Sequence, residues 1–509
     1  MCGIAASAPA DLELVHHILD IQAARGPDQR ASIDLNFCSL GVNRLAITDL
    51  TDGCQPLAST SGDTTVVFNG AIYNSVQLAQ QFNFNPRSGN DGEIIHFLYE
   101  KFGLAFADYL EGMFAICIAD APNRRLVYCT DQLGIKPLFI VRDALATRLA
   151  STIQSFPPSL RSVAKRVRGG VVFTSDGSSR PFELKTAKLN DLDTLLINSV
   201  REQIPLEVPW ACMLSGGVDS TLIAALAAKH SGTIRTYTCG LPGSSDLRFA
   251  ADAAKIIGSE HREVSVELGE LPSIVRSVVR ETASFEPWTV VAGTGTYLTA
   301  RAARSDGIKV LLSGEGADEL FGGYDEFVDI PPYRLNSELI QYQVDLAVSE
   351  CLRLDRSTMA NSVEARVPFL SSSLIRFARA LPPEEKLHSD SGQQLIRKYA
   401  LRRCARNYLP EVLAARQKEE FSNGSGLSIA LQQISHEVCP PSRLAALQKR
   451  FPQMPIKTSL WGWFFDEWLD AFGQSIGLSW TDLSRRGIVR QSFSEYNALL
   501  RSDPTVYSS

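Results

Sequence analysis

At 509 residues the chain is long for one domain, and its 45% hydrophobic and 21% charged residues describe an ordinary globular protein. A net charge of −6 argues against nucleic-acid binding, no apolar run approaches the ~18–20 residues of a membrane span, and the N-terminus lacks a basic region and meets Asp11 too soon for a signal peptide. Ten cysteines without a Cys-x-x-Cys pair suggest neither a zinc site nor a disulfide scaffold, so a cytoplasmic protein without nucleic-acid or membrane partners is expected.

Met1 precedes a small residue, and its removal would leave Cys2 at the terminus, uniting a thiol and an α-amine. That amine, with an unperturbed pKa of ~7.7–8.0, can serve as base for its own nucleophile. A helix is expected from near Asp11 to the turn Arg25-Gly-Pro-Asp28, with His16 and His17 on its solvated face. Asn43-Arg-Leu-Ala-Ile47 places Arg44 at a strand, and residues 66–74 form a strand running into Asn69-Gly70. Each signal has an ordinary reading by itself: Asn-Gly is a turn, Asp91 is the N-cap of the helix begun at Asp91-Gly-Glu-Ile-Ile, and a lone cysteine is a core residue.

Taken with Cys2 and with Asp131-Gln-Leu-Gly-Ile-Lys-Pro-Leu138, these residues resemble the glutaminase domain of class II glutamine amidotransferases. The resemblance implies an α+β sandwich of αββα layers, the N-terminal-nucleophile fold. It implies that the Cys2 thiolate attacks the side-chain amide of L-glutamine, that Asn69 and the Gly70 N–H form the oxyanion hole, and that Arg44, Ile47, Asn69, Gly70 and Asp91 bind glutamine. Arg44 would take the α-carboxylate, as suits a planar bidentate cation, and Asp91 the α-ammonium. Ammonia leaves, and water then releases glutamate from the thioester. Ala71 stands where the family commonly has a Glu that helps hold the ammonium, which implies weaker glutamine affinity, and Thr130 replaces the usual Arg before Asp131.

Residues 156–190 carry Phe156-Pro-Pro, Gly169-Gly170 and Ser175-Asp-Gly-Ser-Ser179 and read as a boundary. The expected division is a glutaminase domain over 2–160, a linker over 161–190 and a second domain over 191–509. Short strands predominate before the boundary; after it strands alternate with helices, as in a doubly wound parallel sheet.

In the second half, Trp210-Ala-Cys-Met-Leu214 is a buried strand, and Leu222, Ile223, Leu226 and Ala227 repeat at helical spacing. Between them lies Ser215-Gly-Gly-Val-Asp-Ser220. Its glycines allow a tight turn and close ligand approach, the N–H groups of the following helix favour an anion, and Asp219 beside a phosphate implies Mg²⁺. No Gly-Lys-Ser/Thr follows, so this is not the Walker pattern; it resembles the pyrophosphate loop of enzymes that cleave ATP to AMP and pyrophosphate. Strands are expected at 234–240, 261–264 and 308–312, and a helix from Asp246. The last strand delivers Ser313-Gly-Glu-Gly-Ala-Asp-Glu-Leu-Phe-Gly-Gly-Tyr324 at its carboxyl end, where open α/β sheets bind ligands.

With Met359-Ala-Asn-Ser-Val-Glu-Ala-Arg-Val-Pro-Phe369 and Arg416-Gln-Lys-Glu-Glu-Phe-Ser-Asn-Gly424, the resemblance extends to about residue 430 and is to the glutamine-hydrolysing asparagine synthetase family. It implies an α/β doubly wound ATP-pyrophosphatase domain with a helical C-terminal region. Leu214, Cys239 (through its backbone), Ser313 and Gly314 would line the adenosine site; Ser215, Gly217, Asp219 and Ser220 would hold pyrophosphate, with Mg²⁺ on Asp219 and Asp318. Lys418 would face the α-phosphate, and Glu315 would orient the intermediate and accept a proton from the attacking ammonia. Ser371 stands where the family often has Asp. Trp461, Trp463, Phe464, Phe465 and Trp468 are expected to pack a terminal helix onto the domain.

The expected reaction converts an acceptor carboxylate, L-glutamine and ATP to an amide, glutamate, AMP and pyrophosphate through an acyl-adenylate. L-Aspartate is the expected acceptor, as the commonest in the family, and a homodimer is allowed. An amide synthetase for another biosynthetic carboxylate is the rival, because residues 286–297 (EPWTVVAGTGTY) are not diagnostic. A ring-forming ligase of the β-lactam or lasso-peptide kind has no need of Cys2, Arg44, Asn69 and Asp91, and a regulatory pseudoenzyme has no need of both constellations.

Overall fold

The structure is a computed structural model, and it describes residues 2–183, 191–389, 395–416, 424–452, 454 and 456–473. Two six-stranded antiparallel sheets build the N-terminal part. In the first the order is Lys165–Arg166, Phe139–Arg142, Thr147–Ala150, Cys2–Ala8, Ser39–Arg44, Gln29–Asp34. In the second it is Ser179–Pro181, Val171–Thr174, Arg125–Thr130, Gly112–Asp120, Thr64–Ile72, Leu57–Ala58. The strand Cys2–Ala8 lies against Thr64–Ile72 across the sandwich. Both are buried on two faces, which is why they read as nearly continuous small and apolar runs rather than as alternating ones. The helix Leu12–Ile21 covers the first sheet with Leu14, Val15, Ile18 and Leu19, leaving His16 and His17 in solvent. The helix Glu93–Phe102 covers the second with Ile94, Ile95 and Leu98. The layers are therefore αββα.

Three local expectations change. Asn69 and Gly70 do not turn the chain; they sit inside Thr64–Ile72, opposite Ala115 and Phe114. Gly70 has φ +149°, and a Cβ there would meet the Met113 carbonyl oxygen at 2.0 Å. Glycine is thus required by close approach of the neighbouring strand. Gly70→Ala is expected to cost more than about 2 kcal/mol, the range of a severe core clash; a thermal midpoint unchanged from wild type would refute this. Asp91 does not cap a helix: the helix begins at Glu93 with Gly92 as its N-cap, and Asn90 Oδ1 accepts from Gly92 N–H (2.9 Å). The third change concerns 161–190. Residues 165–166, 171–174 and 179–181 are strands of the two sheets, and Val172, with no exposed surface, packs in the second sheet's core.

After residue 191 the chain forms a five-stranded parallel sheet in the order Glu260–Ser265, Arg235–Gly240, Trp210–Met213, Val310–Leu312, Glu364–Arg366. Alternate residues point to opposite faces. Cys212, Val310 and Leu312 join the core beneath Val218–Ser231, whereas Ala211 and Leu311 pack with Ala300 and Ala303 of Pro287–Ser305. The sequence order of the strands is 3-2-1-4-5, so the direction of winding reverses between Trp210–Met213 and Val310–Leu312, the position at which such sheets open a crevice. The helices Leu427–Val438, Pro441–Arg450 and Ser459–Phe472 follow, and the last buries Trp461, Trp463, Phe464, Phe465 and Trp468 against Leu271–Thr282 and Phe285. Among the described residues no helix is long and apolar enough to cross a membrane. None of the ten cysteines is in a disulfide.

Candidate active sites

Cys2 and Arg44 are opposite partners in one sheet, and the packing of the two sheets brings Asn69 of the other to Cys2. The Cys2 N–H donates to Asn69 Oδ1 (2.8 Å). Asn69 has no exposed surface, and its Nδ2 meets no partner among the described residues. A buried donor left unpaired costs about 1–3 kcal/mol, so this one is placed for something the folded chain does not supply. Burial pushes the Cys2 thiol above its ordinary value, against the amino terminus, a Leu45 backbone N–H and Arg44, all of which favour the thiolate. Arg44 is held by the carbonyls of Thr48 (2.8 Å) and Asp49 (2.7 Å), and Ile47 is buried three residues further on. The Asp91 carboxylate accepts the Ile72 N–H (2.6 Å) two residues past Gly70. Burial raises its pKa to about 6, with the Ile72 N–H and Arg366 working the other way. Ala71 is buried and apolar between these groups. Thr130, in place of the family's Arg, leaves a buried hydroxyl without a partner among the described residues.

The second site is a cavity of about 430 Å³ at the sheet's point of reversal. Leu214, Ser215, Gly217, Asp219, Ser220, Cys239, Ser313 and Gly314 all line it, as do Glu315 and Asp318. The Ser220 hydroxyl accepts from Ser215 N–H (3.2 Å), folding the loop over the start of the helix Val218–Ser231. The Gly217 N-cap of that helix makes no side-chain cap, so its first N–H groups remain available to an anion. Helix Pro287–Ser305 contributes Trp288, Thr289, Ala292 and Thr296 to the opposite wall. The acceptor segment expected at 286–297 therefore borders the same space.

Asp219 and Asp318 already share one cation: Lys398 Nζ lies 2.5 Å from Asp219 Oδ2 and 2.6 Å from Asp318 Oδ1. Burial works against the lysine's charge, but the two carboxylates outweigh it and raise its pKa. Gly323 makes room for this arrangement, since a Cβ there would meet Asp318 Oδ1 at 1.7 Å and Lys398 Cε at 2.1 Å. Two carboxylates close enough to bridge one cation fit Mg²⁺, which characteristically takes one or two carboxylates and fills its octahedron with phosphate oxygens and water. Glu315 is ion-paired to Arg353, whose Nη1 also donates to Thr296 Oγ1 (2.9 Å). Burial opposes the guanidinium charge, yet Glu315 and Glu350 hold its pKa above the ordinary value. Lys418 lies outside the described residues. Ser371, where the family has Asp, is the N-cap of Ser372–Ala380, its Oγ accepting from Leu374 N–H (3.4 Å). Ser and Asp cap helices about equally well, so the departure is structurally conservative.

Sequence reasoning missed Lys398, Arg353, Arg416 and Gln55. Arg416 donates to the Ser215 carbonyl (3.2 Å) and stacks on Phe249 (3.7 Å). Gln55 bonds both backbone groups of Phe68 (2.7 and 3.1 Å) and reaches 3.8 Å from Cys2 Sγ. Arg416 opens the motif 416–424 and so carries a local signal; Lys398 and Arg353 are single basic residues outside any Gly-rich loop, with no local signal.

The halves meet through both charge and apolar contact. Lys309 Nζ pairs with Asp28 (2.7 Å), Lys136 Nζ donates to the Ala365 carbonyl (3.1 Å), and Arg25 pairs with Asp355 (2.8 Å). Burial pushes the Glu364 carboxyl up, but Arg366, the amino terminus and Lys136 outweigh it and hold it at about 2. Leu45, Ile47, Ala71, Met113, Leu133 and Ile135 of the first half share one apolar cluster with Leu214, Val218, Leu354, Ala365 and Val367 of the second.

Residues 1–171 match the family described as glutamine amidotransferase domain, and residues 191–347 and 332–461 match that described as asparagine synthase. The chain is 32% identical over 464 residues to asparagine synthetase B (glutamine-hydrolysing) of Escherichia coli, covering 84% of this chain and 82% of that protein. It is 32% identical over 511 residues to a probable asparagine synthetase (glutamine-hydrolysing) of Schizosaccharomyces pombe, with 88% and 89% covered. To asparagine synthetase (glutamine-hydrolysing) 1 of Saccharomyces cerevisiae it is 31% identical over 500 residues, with 84% and 86% covered.

Proposed function

The chain belongs to the glutamine-hydrolysing asparagine synthetase family, and from that premise we propose that it transfers glutamine-derived ammonia to an ATP-activated carboxylate, with aspartate as acceptor and asparagine as product. One observation carries this: the same chain holds a buried cysteine beside an amide donor without a partner among the described residues, and a cavity whose loops present N–H groups, hydroxyls and a pair of carboxylates, while Ile47 and Ala71 of the first unit share one apolar cluster with Leu214 and Val218 of the second. We assign residues 2–183 to the glutaminase unit, an N-terminal-nucleophile sandwich, and residues from 191 onward to the synthetase unit.

In the first site the Cys2 sulfur attacks the glutamine amide carbon, with the α-amine taking the thiol proton once Met1 is removed. Asn69 Nδ2 and the Gly70 N–H receive the oxyanion, Arg44 and Ile47 hold the carboxylate end, and Asp91 the ammonium. The ordinary direction of a buried thiol is towards the neutral form, so these cationic and N–H groups are what makes the thiolate accessible. In the second site the acceptor carboxylate attacks the α-phosphorus of ATP. Leu214, Cys239, Ser313 and Gly314 enclose the nucleoside, and Ser215, Gly217, Asp219, Ser220 and Lys418 hold the phosphates. Bound between Asp219 and Asp318, Mg²⁺ would neutralise charge on the leaving pyrophosphate. Glu315, oriented by Arg353, accepts the proton that the incoming ammonia loses on forming the amide.

Asp91 makes glutamine capture pH-dependent. With its pKa near 6 the group is a carboxylate above pH 6 and pairs with the α-ammonium; as pH falls through 6 it is protonated and that attraction is lost. Because Ala71 supplies no second carboxylate, kcat/KM for glutamine is expected to fall below pH 6 by about a further tenfold per pH unit beyond the fall set by the α-amine base, one more proton being taken up. Asp91→Asn should keep only the shallower fall set by protonation of the α-amine base, and a profile parallel to wild type would remove Asp91 from glutamine binding.

The reading is tested by mass spectrometry of the products formed from ATP, Mg²⁺, amide-¹⁵N-glutamine and a panel of carboxylic acids. Labelled asparagine with equimolar AMP is the expected result. Labelled amide on another acid alone would move the acceptor assignment, and no labelled amide on any would overturn the reaction. The panel matters because helix Pro287–Ser305 lines the cavity with Trp288, Thr289 and Ala292, side chains without a charge to match the α-carboxylate of aspartate.

A further inference from the structure

One helix, Glu350–Met359, stands between the two sites and is tied to both. At about 100° per residue, side chains two positions apart leave a helix on nearly opposite sides. Arg353 faces the synthetase cavity, where it grips Glu315 and Thr296. Asp355 faces the glutaminase unit, where its two oxygens accept from Arg25 Nη1 (2.8 Å) and Nη2 (3.2 Å). The Arg25 Nε–H in turn donates to the carbonyl oxygen of Cys2 (3.2 Å). Arg25 is 4% exposed and Asp355 3%, so solvent screens this pair little.

Its burial says what the pair is for. A buried ion pair gains little net stability over well-packed apolar side chains, because two charges must be taken out of water. What a bidentate arginine–carboxylate contact supplies is direction and distance, here between a helix of one unit and the peptide group of the other unit's nucleophile. The helix has little room to bend independently. A Cβ at Gly293 of the neighbouring Pro287–Ser305 would meet Val278 Cγ1 at 2.8 Å and Ser357 Oγ at 3.2 Å, so the packing there is tight. Close-packed elements shift as units, and a shift imposed on Arg353 at the cavity reaches Asp355 through half a turn of helix.

We propose that Asp355 is a positioning residue that couples the loaded synthetase cavity to glutamine hydrolysis, through Glu315, Arg353, the helix 350–359, Asp355, Arg25 and the Cys2 carbonyl. Acceptor and ATP engage Glu315 and Arg353, the helix settles, and Arg25 sets the Cys2 peptide so that its sulfur faces Asn69 Nδ2. The inference rests on the two-site reading above, and it concerns when Cys2 is aligned, not the chemistry that Cys2 performs.

The test compares glutamate release by wild type, Asp355→Asn and Asp355→Glu, each with glutamine alone and with ATP, Mg²⁺ and the acceptor identified by the panel, alongside AMP release and amide synthesis from ammonium chloride. Wild type is expected to show at least about fivefold stimulation of glutamine hydrolysis by the synthetase ligands, the lower end of ordinary coupling between sites. Asp355→Asn should keep basal glutamine hydrolysis and ammonium-dependent synthesis within about twofold, lose the stimulation, and form amide from glutamine no faster than its basal hydrolysis supplies ammonia. Asp355→Glu, which keeps the charge, should recover part of the stimulation. An Asn variant stimulated like wild type would overturn the proposal, as would loss of basal hydrolysis and ammonium-dependent synthesis together in both variants, the mark of a contact that only holds the fold. If wild type forms amide from glutamine but its hydrolysis ignores the synthetase ligands, coupling is refuted and the function stands. Absence of amide from wild type would refute the function itself.

Discussion

Cys2→Ala is expected to abolish amide synthesis from glutamine, by at least about 10³-fold, while synthesis from a high concentration of ammonium salt stays close to wild type. The asymmetry follows from where the groups lie. Cys2, Arg44 and Asn69 stand in the two antiparallel sheets, with Asp91 just before the helix Glu93–Phe102, whereas the loop 215–220, Glu315 and Asp318 follow strands of the parallel sheet. The substitution removes one sulfur from a buried site and leaves the second cavity untouched. Ammonia is the only species that both chemistries share, and an ammonium ion cannot attack an acyl-adenylate because its lone pair carries a proton. The apolar cluster that joins Ile47, Ala71, Met113 and Ile135 with Leu214, Val218 and Val367 is the kind of surface that would keep ammonia neutral between two sites. Of the charged groups beside it, Glu364 pairs with Arg366 at 2.6 Å and Lys136 donates to the Ala365 carbonyl. The measurement is amide and AMP from each nitrogen source. Normal synthesis from glutamine would show that the first half is not the ammonia source. A folded variant inactive with ammonium as well would break the separable two-site scheme.

What was legible in the sequence was whatever the backbone itself encodes. The loop 215–220 follows a buried strand and opens a helix, so its residues point to the local fold and to a candidate anion site, and Ser215, Gly217, Asp219 and Ser220 line the cavity. Cys2, Arg44 and Asn69 were legible only as a set, because what joins them is the packing of two sheets. The ordinary reading of Asn69-Gly70 by itself, a turn, does not hold, because here the glycine answers a neighbouring carbonyl 2.0 Å from where a Cβ would be. The strands within 161–190 were hidden by their shortness and by flanking Gly and Ser. Lys398 was illegible for a different reason. It lies 179 residues from Asp219, and only tertiary structure makes them partners. The same holds for Arg25 and Asp355, 330 residues apart.

Asp219→Ala is expected to abolish synthesis from glutamine and from ammonium alike, and AMP formation with it, while glutamine hydrolysis continues. In the folded chain Asp219 is the first-turn acid of the phosphate-loop helix and shares Lys398 with Asp318. Removing its carboxylate leaves Lys398, 1% exposed, facing Asp318 alone and takes away half of the cation-bridging pair. Both losses fall on the step at which pyrophosphate leaves, where charge must be neutralised as it develops; losing one such preorganised electrostatic contact costs about 10²–10³ in rate. Either nitrogen source enters only after that step, so neither can rescue it. Two controls separate chemistry from misfolding. Glutamine hydrolysis in the same chain reports an intact first unit, and Asp219→Asn keeps the side chain's shape while removing its charge. The Asn variant should bind ATP with an affinity that no longer rises when Mg²⁺ is added, measured by calorimetry in the absence of acceptor. AMP formation near the wild-type rate in either variant would remove Asp219 from the adenylation site. ATP affinity that still rises with Mg²⁺ would leave Asp219 in that site through its pairing with Lys398 and transfer the metal to other ligands.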